Sequence, residues 1–155
     1  MIKKIIFVLI AVFVGIQFVP VSRTNPPVTS EVPASPEVRQ ILQRACYNCH
    51  SNETAWPWYS HVAPVSWLVT RDVHDGRKHV NLSEWDRLTP EYQKITIHEM
   101  MEEIEEGEMP LWFYVPLHPE AKLNDSDMAT LEAWAKSQGA DEASEEDSHS
   151  HHDHS

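Results

Sequence analysis

The stretch ACYNCHSNETAWPWYSH, residues 45–61, contains both cysteines of the chain. Two residues separate Cys46 from Cys49, and His50 follows the second cysteine directly. This C-x-x-C-H spacing is typical of the attachment site of a c-type haem. Thiols on one turn of helix can both reach the vinyl groups on one porphyrin edge, and the adjacent imidazole then lies under the iron. We therefore expect haem c on Cys46 and Cys49, with His50 as the proximal iron ligand.

Three other uses of a close cysteine pair fit the sequence less well. A thioredoxin-like redox pair expects a strand and a βαβ setting, whereas an amphipathic helix is predicted before Cys46. A zinc site needs four ligands, and the chain has no second close pair of cysteines. A disulfide across two residues is strained and closes a loop too small to add much stability. The spacing therefore favours covalent haem.

The N-terminal segment has the pattern of an export signal. Lys3 and Lys4 precede fifteen mostly apolar residues, IIFVLIAVFVGIQFV, a length between that of a signal-peptide core and that of a full membrane span. Because no convincing A-x-A cleavage site follows, we expect residues 1–22 to be a retained membrane anchor rather than a cleaved signal. The rest of the chain then faces the periplasm or its equivalent, or is secreted if cleavage occurs.

The remaining chain divides into three parts by composition. Residues 23–34 are rich in proline and small polar residues, which predicts an extended, flexible linker. Residues 35–139 carry helical patterns and predict one all-α domain. Residues 140–155 contain almost no apolar side chain and are expected to be disordered. The four histidines of this tail could bind a metal, or the tail could be a solvated segment without a specific role.

Capping signals predict where the helices of the domain begin and end. Ser35, Thr89 and Asn124 are expected N-caps, each followed by an apolar stripe with helical spacing. A further helix is expected near Pro64, with Val65, Leu68, Val69 and Val73 on its inner face and Gly76 at its end. A short capped turn is expected at residues 83–86.

The sixth position of the iron has one favoured candidate and two alternatives. Met109 lies in EGEMPLW between the helix-ending Gly107 and Pro110, so an irregular backbone can aim its thioether. His118, in the same loop, is the first alternative, and His61, close to the attachment motif, is the second. Three other methionines lie on helical stripes and are expected in the core: Met100, Met101 and Met128.

Charge and aromatic content limit the possible partners. The formal net charge is −12, which argues against nucleic acid and anionic membrane surfaces and favours a basic redox partner. The glutamates between Glu99 and Glu108 are expected to form a solvated helix face, or to dock such a partner. Four aromatic residues after the motif are expected to pack around the large apolar cofactor, or alternatively to donate to the haem propionates or form an edge for electron transfer: Trp56, Trp58, Tyr59 and Trp67.

The chain resembles the bacterial family of small c-type haem-binding domain proteins and, more distantly, class I cytochromes c. The matching stretches are CYNCHSNETAWPWYSHVAPVSW, NLSEW, EEIEEGEMP and LHPEAKLNDSDMATLEAWA. The resemblance covers residues 37–139 and implies a cytochrome-c-like helical fold with one covalent haem. It also implies His50 as the proximal ligand and Met109 as the distal one. The long tryptophan-rich segment after the motif departs from an ordinary cytochrome c.

The expected function is one-electron transfer through a His/Met-ligated haem in the cell envelope, which makes an electron carrier more plausible than an enzyme. Two alternatives stay open. A haem enzyme or small-ligand sensor would leave the sixth site open, and a non-haem protein would use the thiols for redox or metal chemistry. The state of the iron's sixth site separates the first alternative from the electron carrier, and covalent haem separates the second.

Overall fold

The computed structural model describes residues 1–140, and this part of the chain is helical. Its α-helices are α1 (Ile2–Ile16), α2 (Pro36–Ala45), α3 (Tyr47–His50), α4 (Val65–His79), α5 (Pro90–Glu105) and α6 (Asp125–Ser137). Short 3₁₀ helices occupy Trp58–His61, Trp85–Arg87 and Pro119–Ala121. Within residues 1–140 the only β-type pairing is an isolated bridge between Ser30 and Glu84. The all-α prediction is confirmed for these residues.

Helix α2 begins and ends where its sequence predicts. The Ser35 hydroxyl accepts a hydrogen bond from the Val38 N–H at 3.3 Å, and Pro36 occupies the first turn, where no N–H is needed. The stripe of Val38, Ile41 and Leu42 is buried. The helix ends at Ala45, so it delivers the chain directly to Cys46.

Helix α5 ends in a Schellman motif that shapes the next loop. Gly107 has φ +77°, which glycine adopts without the steric penalty of a Cβ. The Gly107 N–H donates to Ile104 O at 3.1 Å, and the Glu108 N–H donates to Glu103 O at 3.0 Å. The Met109 N–H donates to the same Glu103 oxygen at 3.0 Å. The loop therefore turns back over the end of α5, and the predicted end at Gly107 is confirmed.

Helix α6 closes the domain against α2 and α5. Asn124 and Asp127 form a reciprocal capping box at its start, and Gly139 with φ +75° ends it. Its buried face carries Leu131, Trp134 and Ala135. These side chains belong to the main core with residues of α2, α5 and the 80–85 segment. The predicted caps of α5 and α6 are thus confirmed, since Thr89 also accepts from the Tyr92 N–H.

Two local predictions are wrong because tertiary contacts override them. Helix α4 continues through Gly76 to His79, and its buried residues are Ser66, Val73 and Gly76. Val65 and Leu68, expected on the inner face, are exposed. The turn near residue 85 has no side-chain cap, since the Ser83 hydroxyl accepts instead from the Asn52 N–H at 3.0 Å.

Residues 24–33 are extended, as predicted, but they lie on the domain instead of forming a free linker. Asn52 Nδ2 donates to Pro27 O at 3.0 Å, and Trp134 Nε1 donates to Pro33 O at 2.9 Å. Val32 is part of the core. The segment buries an apolar side chain, and its backbone carbonyls accept hydrogen bonds from side chains of the domain. The domain therefore begins well before residue 35.

Helix α1 occupies most of the segment predicted to be a membrane anchor. No buried residue lies in α1, and within residues 1–140 no helix combines the length and apolar character needed to cross a bilayer. The retained anchor over residues 1–22 stays a prediction.

Ala140 packs in the core, so the domain includes it. The tail predicted beyond it lies outside the described residues.

Candidate functional site

A cavity of about 640 Å³ is lined by residues of α3, α4, α5 and the loop after α5. Its volume falls within the range of ligand and cofactor sites, roughly 300–1,000 Å³. The cavity brings together the four residues that the sequence proposes for haem: Cys46, Cys49, His50 and Met109. Residues more than fifty positions apart in the chain therefore line the same cavity.

The C-x-x-C-H motif adopts a single helical turn. The Cys46 N–H donates to Leu42 O at 2.8 Å, so the turn continues from α2. The N–H groups of Cys49 and His50 both donate to Cys46 O, at 3.1 and 2.9 Å. The two thiols are free and do not form a disulfide. Both sulfurs are thus available on one turn, as thioether attachment requires.

Gly76 lets α4 approach this turn closely. A Cβ on Gly76 would lie 2.8 Å from Cys49 O, 3.1 Å from Cys49 C and 3.3 Å from Cys49 Cβ. Side chains essentially never reach the first of these distances, so only glycine fits. Its function is therefore close backbone approach in the middle of a helix, whereas the sequence pattern suggested a helix end.

Hydrogen bonding determines the tautomer of His50. Its Nδ1 lies 3.3 Å from Val80 O. A carbonyl can only accept, so Nδ1 carries the hydrogen and, in the neutral ring, Nε2 carries the lone pair. Burial lowers the pKa of His50, although the hydrogen bond with Val80 opposes this. The ring is therefore neutral near pH 7 with Nε2 free to bind a metal, and a backbone carbonyl orients it.

The surroundings of the two thiols do not activate them. Burial raises the pKa of Cys46 to about 12 and the pKa of Cys49 to about 11. Nucleophilic and redox-active cysteines have lowered pKa values instead. Within residues 1–140 no three His, Cys, Asp or Glu side chains come together in a way that could hold a metal ion. Both observations weigh against the thioredoxin-like and zinc alternatives.

Two methionines line the cavity, and sequence analysis placed only one of them there. Met109 is half-buried in the loop that the Schellman motif holds in place. Met100 is half-buried on α5, where it packs against the core and also reaches the cavity wall. Met101 lies in the core, as expected. The helical stripe correctly identified Met100 as inward-facing but could not show that part of that face borders a cavity.

The two alternative histidines do not reach the cavity. His118 Nε2 lies 2.6 Å from the Tyr59 hydroxyl, and His118 Nδ1 lies 3.0 Å from Glu120 Oε1. Since the carboxylate accepts from Nδ1–H, Nε2 accepts from the tyrosine, and both ring nitrogens are engaged. His61 is exposed at the end of a 3₁₀ helix. Neither residue belongs to the cavity lining.

A hydrogen bond that no sequence pattern indicates links the motif to the methionine loop. Asn48, inside C-x-x-C-H, donates from Nδ2 to the Tyr114 hydroxyl at 2.8 Å, and both residues line the cavity. The His118 ring stacks on Tyr114 with 4.1 Å between centroids. Burial raises the pKa of Tyr114 to about 12, so its hydroxyl stays neutral. Side chains therefore hold the loop from Met109 to His118 against the attachment motif. No local sequence pattern indicates these contacts.

The aromatic cluster after the motif does not surround the cavity. None of its four members lines it, and the Trp58 side chain is 78 % exposed. Trp56 Nε1 is buried without a hydrogen-bond partner among the described residues. The tryptophans of the core are Trp85 and Trp134. The expectation of packing around a cofactor is therefore wrong, because aromatic content alone does not distinguish core from surface.

The cavity wall is strongly acidic. Five carboxylates line it: Asp72, Asp75, Glu99, Glu102 and Glu103. No Lys or Arg belongs to this lining. Arg77 lies outside the lining and donates to Ser51 O, Thr24 O, Asn25 Oδ1 and Thr54 Oγ1 at 2.7–2.9 Å. The arginine therefore ties the 24–25 segment to the motif side of the domain.

These features define a small all-α domain with a thiol- and imidazole-lined cavity of cofactor size. The chain belongs to the haem-binding domain family, whose model matches residues 11–137. This match covers most of the chain and agrees with the donor set of the cavity. No curated protein and no solved structure gives a significant match.

Proposed function

We propose that the protein is a c-type cytochrome that transfers single electrons on the outer side of the cytoplasmic membrane. The observation that carries the proposal is the single cavity lined by Cys46, Cys49, His50 and Met109. Membership of the haem-binding domain family supports the cofactor. The cavity volume and the free thiols support its covalent attachment. The outer location rests on the lysines and apolar segment of the N-terminus.

Each residue of the donor set has a distinct role in the proposal. Cys46 and Cys49 would hold the haem through two thioether bonds, and His50 would bind its iron through Nε2. Met109 would bind the iron through its sulfur. Haem held by histidine and methionine would supply one-electron redox chemistry at a raised potential.

The surrounding residues keep this arrangement in place. The Val80 carbonyl fixes the His50 ring, and the Asn48–Tyr114 hydrogen bond holds the Met109 loop near the motif. The acidic wall stabilises positive charge nearby, so it favours the oxidised iron and counteracts part of the effect of methionine. The same carboxylates attract a basic redox partner.

Optical spectra of single-residue variants test the ligand assignment. Met109→Ala should keep the covalent haem, lose the far-red sulfur-to-iron charge-transfer band, bind CO rapidly and lower the reduction potential. Met100→Ala is the matched control, because this residue also borders the cavity but lies on a rigid helix. It should retain the band and the low-spin spectrum.

Other outcomes would redirect the proposal. Loss of the band in Met100→Ala but not in Met109→Ala would move the ligand to α5. A high-spin spectrum in His118→Ala or His61→Ala would mean histidine ligation. A wild-type ferrous haem that is five-coordinate and binds CO at once would overturn the electron carrier in favour of a haem enzyme or ligand sensor.

A further inference from the structure

Besides the apolar N-terminal run of residues 5–22, two long stretches of this acidic chain contain no charged side chain. No Asp, Glu, Lys or Arg occurs in residues 54–70 or in residues 109–119. The rest of the sequence contains all 24 acids and all 12 Lys and Arg. The second stretch begins at the cavity, since Met109, Pro110, Leu111 and Tyr114 belong to the lining.

Both stretches expose large apolar side chains. Trp58 is 78 % exposed and Trp112 is 81 % exposed. Other exposed apolar members are Val62, Val65, Trp67, Leu68, Phe113 and Leu117. The surfaces of soluble proteins rarely carry large clusters of exposed apolar side chains. Tryptophan is enriched where membrane proteins meet the lipid headgroup region.

Direct contacts join the two stretches into one region. The Tyr59 hydroxyl lies 2.6 Å from His118 Nε2, and the Trp58 ring contacts the Tyr59 ring edge-on at 5.9 Å. The 3₁₀ helix at Trp58–His61 is therefore held against the end of the 109–119 loop. We call residues 54–70 and 109–119 together the uncharged face.

Helix α1 is attached beside the uncharged face. Gln17 forms two hydrogen bonds with the backbone of Ala63: its Nε2 donates to Ala63 O at 3.1 Å, and its Oε1 accepts from Ala63 N at 2.9 Å. Arg23 donates to Ser60 O at 3.1 Å. The exposed apolar helix α1, which begins with Lys3 and Lys4, thus leaves the domain at this face.

We infer that the uncharged face rests on a lipid bilayer, with Trp58 and Trp112 in the headgroup region beside the inserted helix α1. The carboxylates of the cavity lining would be repelled by anionic lipid. The uncharged face has no carboxylate of its own, and Glu120, which accepts from His118 Nδ1, lies at its edge. Tryptophan rings and valine and leucine side chains there gain apolar burial. The inference does not depend on haem, since all its contacts lie in the polypeptide.

Photolabelling of the full-length haem protein tests the inference. The protein is reconstituted in phosphatidylcholine vesicles that contain a phospholipid with a diazirine near its headgroup. After illumination, mass spectrometry of proteolytic peptides locates the lipid adducts. We expect adducts in residues 54–70 and 109–119 as well as in residues 2–19. Adducts confined to residues 2–19, or absent from the protein, would overturn the inference.

A paired variant makes the test specific. In Trp58→Glu/Trp112→Glu, adducts in the rest of the uncharged face should fall about tenfold, because two carboxylates would be forced into the lipid interface. Adducts in residues 2–19 should not change. The control is Tyr92→Glu, an aromatic residue on α5 that is 61 % exposed and lies outside this face; its labelling should match wild type. An unchanged thermal midpoint shows that the variants fold, and wild-type labelling of the paired variant would refute the assignment.

Discussion

Gly76→Ala tests the packing of α4 on the attachment motif. The new Cβ would lie 2.8 Å from Cys49 O, and ordinary contact begins at 3.4 Å. The Cys49 turn or α4 must therefore move by about 0.6 Å. The obstructing atoms belong to the backbone, so no flexible side chain can absorb the change.

The expected loss of stability follows from two opposing effects. Overpacking a closely packed site costs about 1–3 kcal/mol. Replacing glycine by alanine inside a helix gains about 0.5–1 kcal/mol. At the midpoints of these two ranges the net destabilisation is about 1.25 kcal/mol, which lowers the melting temperature of a domain of this size by about 3–8 °C. If Gly76 lay inside α4 without this close contact, the sign would be reversed, because only the propensity gain would remain.

Thermal unfolding followed by circular dichroism measures this sign. The control is Gly15→Ala in α1, where a Cβ meets no atom within 4 Å, so only the propensity gain remains and its midpoint should equal or exceed that of wild type. We also expect less haem attachment in Gly76→Ala, since Cys49 is displaced. A Gly76→Ala protein that is as stable as wild type, or more stable, would refute the close-approach argument.

Three further predictions concern residues around the site. Arg77→Ala removes four hydrogen bonds and should lower the free energy of unfolding, measured in urea, by about 2–4 kcal/mol. The control is Arg71→Ala, which removes an exposed ion pair with Asp75 and should change the free energy of unfolding by less than about 0.5 kcal/mol. Gly107→Ala forces a side chain into positive φ and should cost about 1–2 kcal/mol, with a weakened sulfur-to-iron band as the spectroscopic sign that the loop has shifted. In protein without haem, both thiols should react slowly with iodoacetamide at pH 8. Their folded pKa values of about 12 and about 11 exceed the unfolded value of about 8.5. Because the folded protein keeps both thiols protonated, their contribution to the free energy of unfolding is complete below about pH 8.5 and is lost as the pH rises through 11–12. Equal alkylation rates in folded and unfolded protein would contradict the raised pKa values.

The sequence predicted best what depends on neighbouring residues. Ser35, Thr89 and Asn124 cap their helices because a side chain two or three positions away from an unpaired N–H can reach it whatever the rest of the fold does. Gly107 ends α5 for a similar local reason. The C-x-x-C-H turn is itself local, so the sequence could place both thiols and the imidazole on one turn, and their roles toward haem stay a prediction.

Predictions that depended on distant contacts were less successful. Gly76 is required by Cys49, twenty-seven positions earlier in the chain, and a helix pattern contains no trace of this. Met100 lies on an apolar stripe, but a stripe does not distinguish core from cavity wall. The exposed Trp58 and the buried Trp85 look alike in sequence, since burial is decided by the elements that cover each ring.

The intact mass of the polypeptide tests the central claim most directly. The full chain is expressed in cells that carry the cytochrome c maturation machinery, and its mass is measured after denaturation. We expect a mass increase equal to one haem, and we expect this increase to be absent in Cys46→Ser/Cys49→Ser. A polypeptide that binds haem but loses it completely on denaturation, or that carries none, would refute covalent attachment.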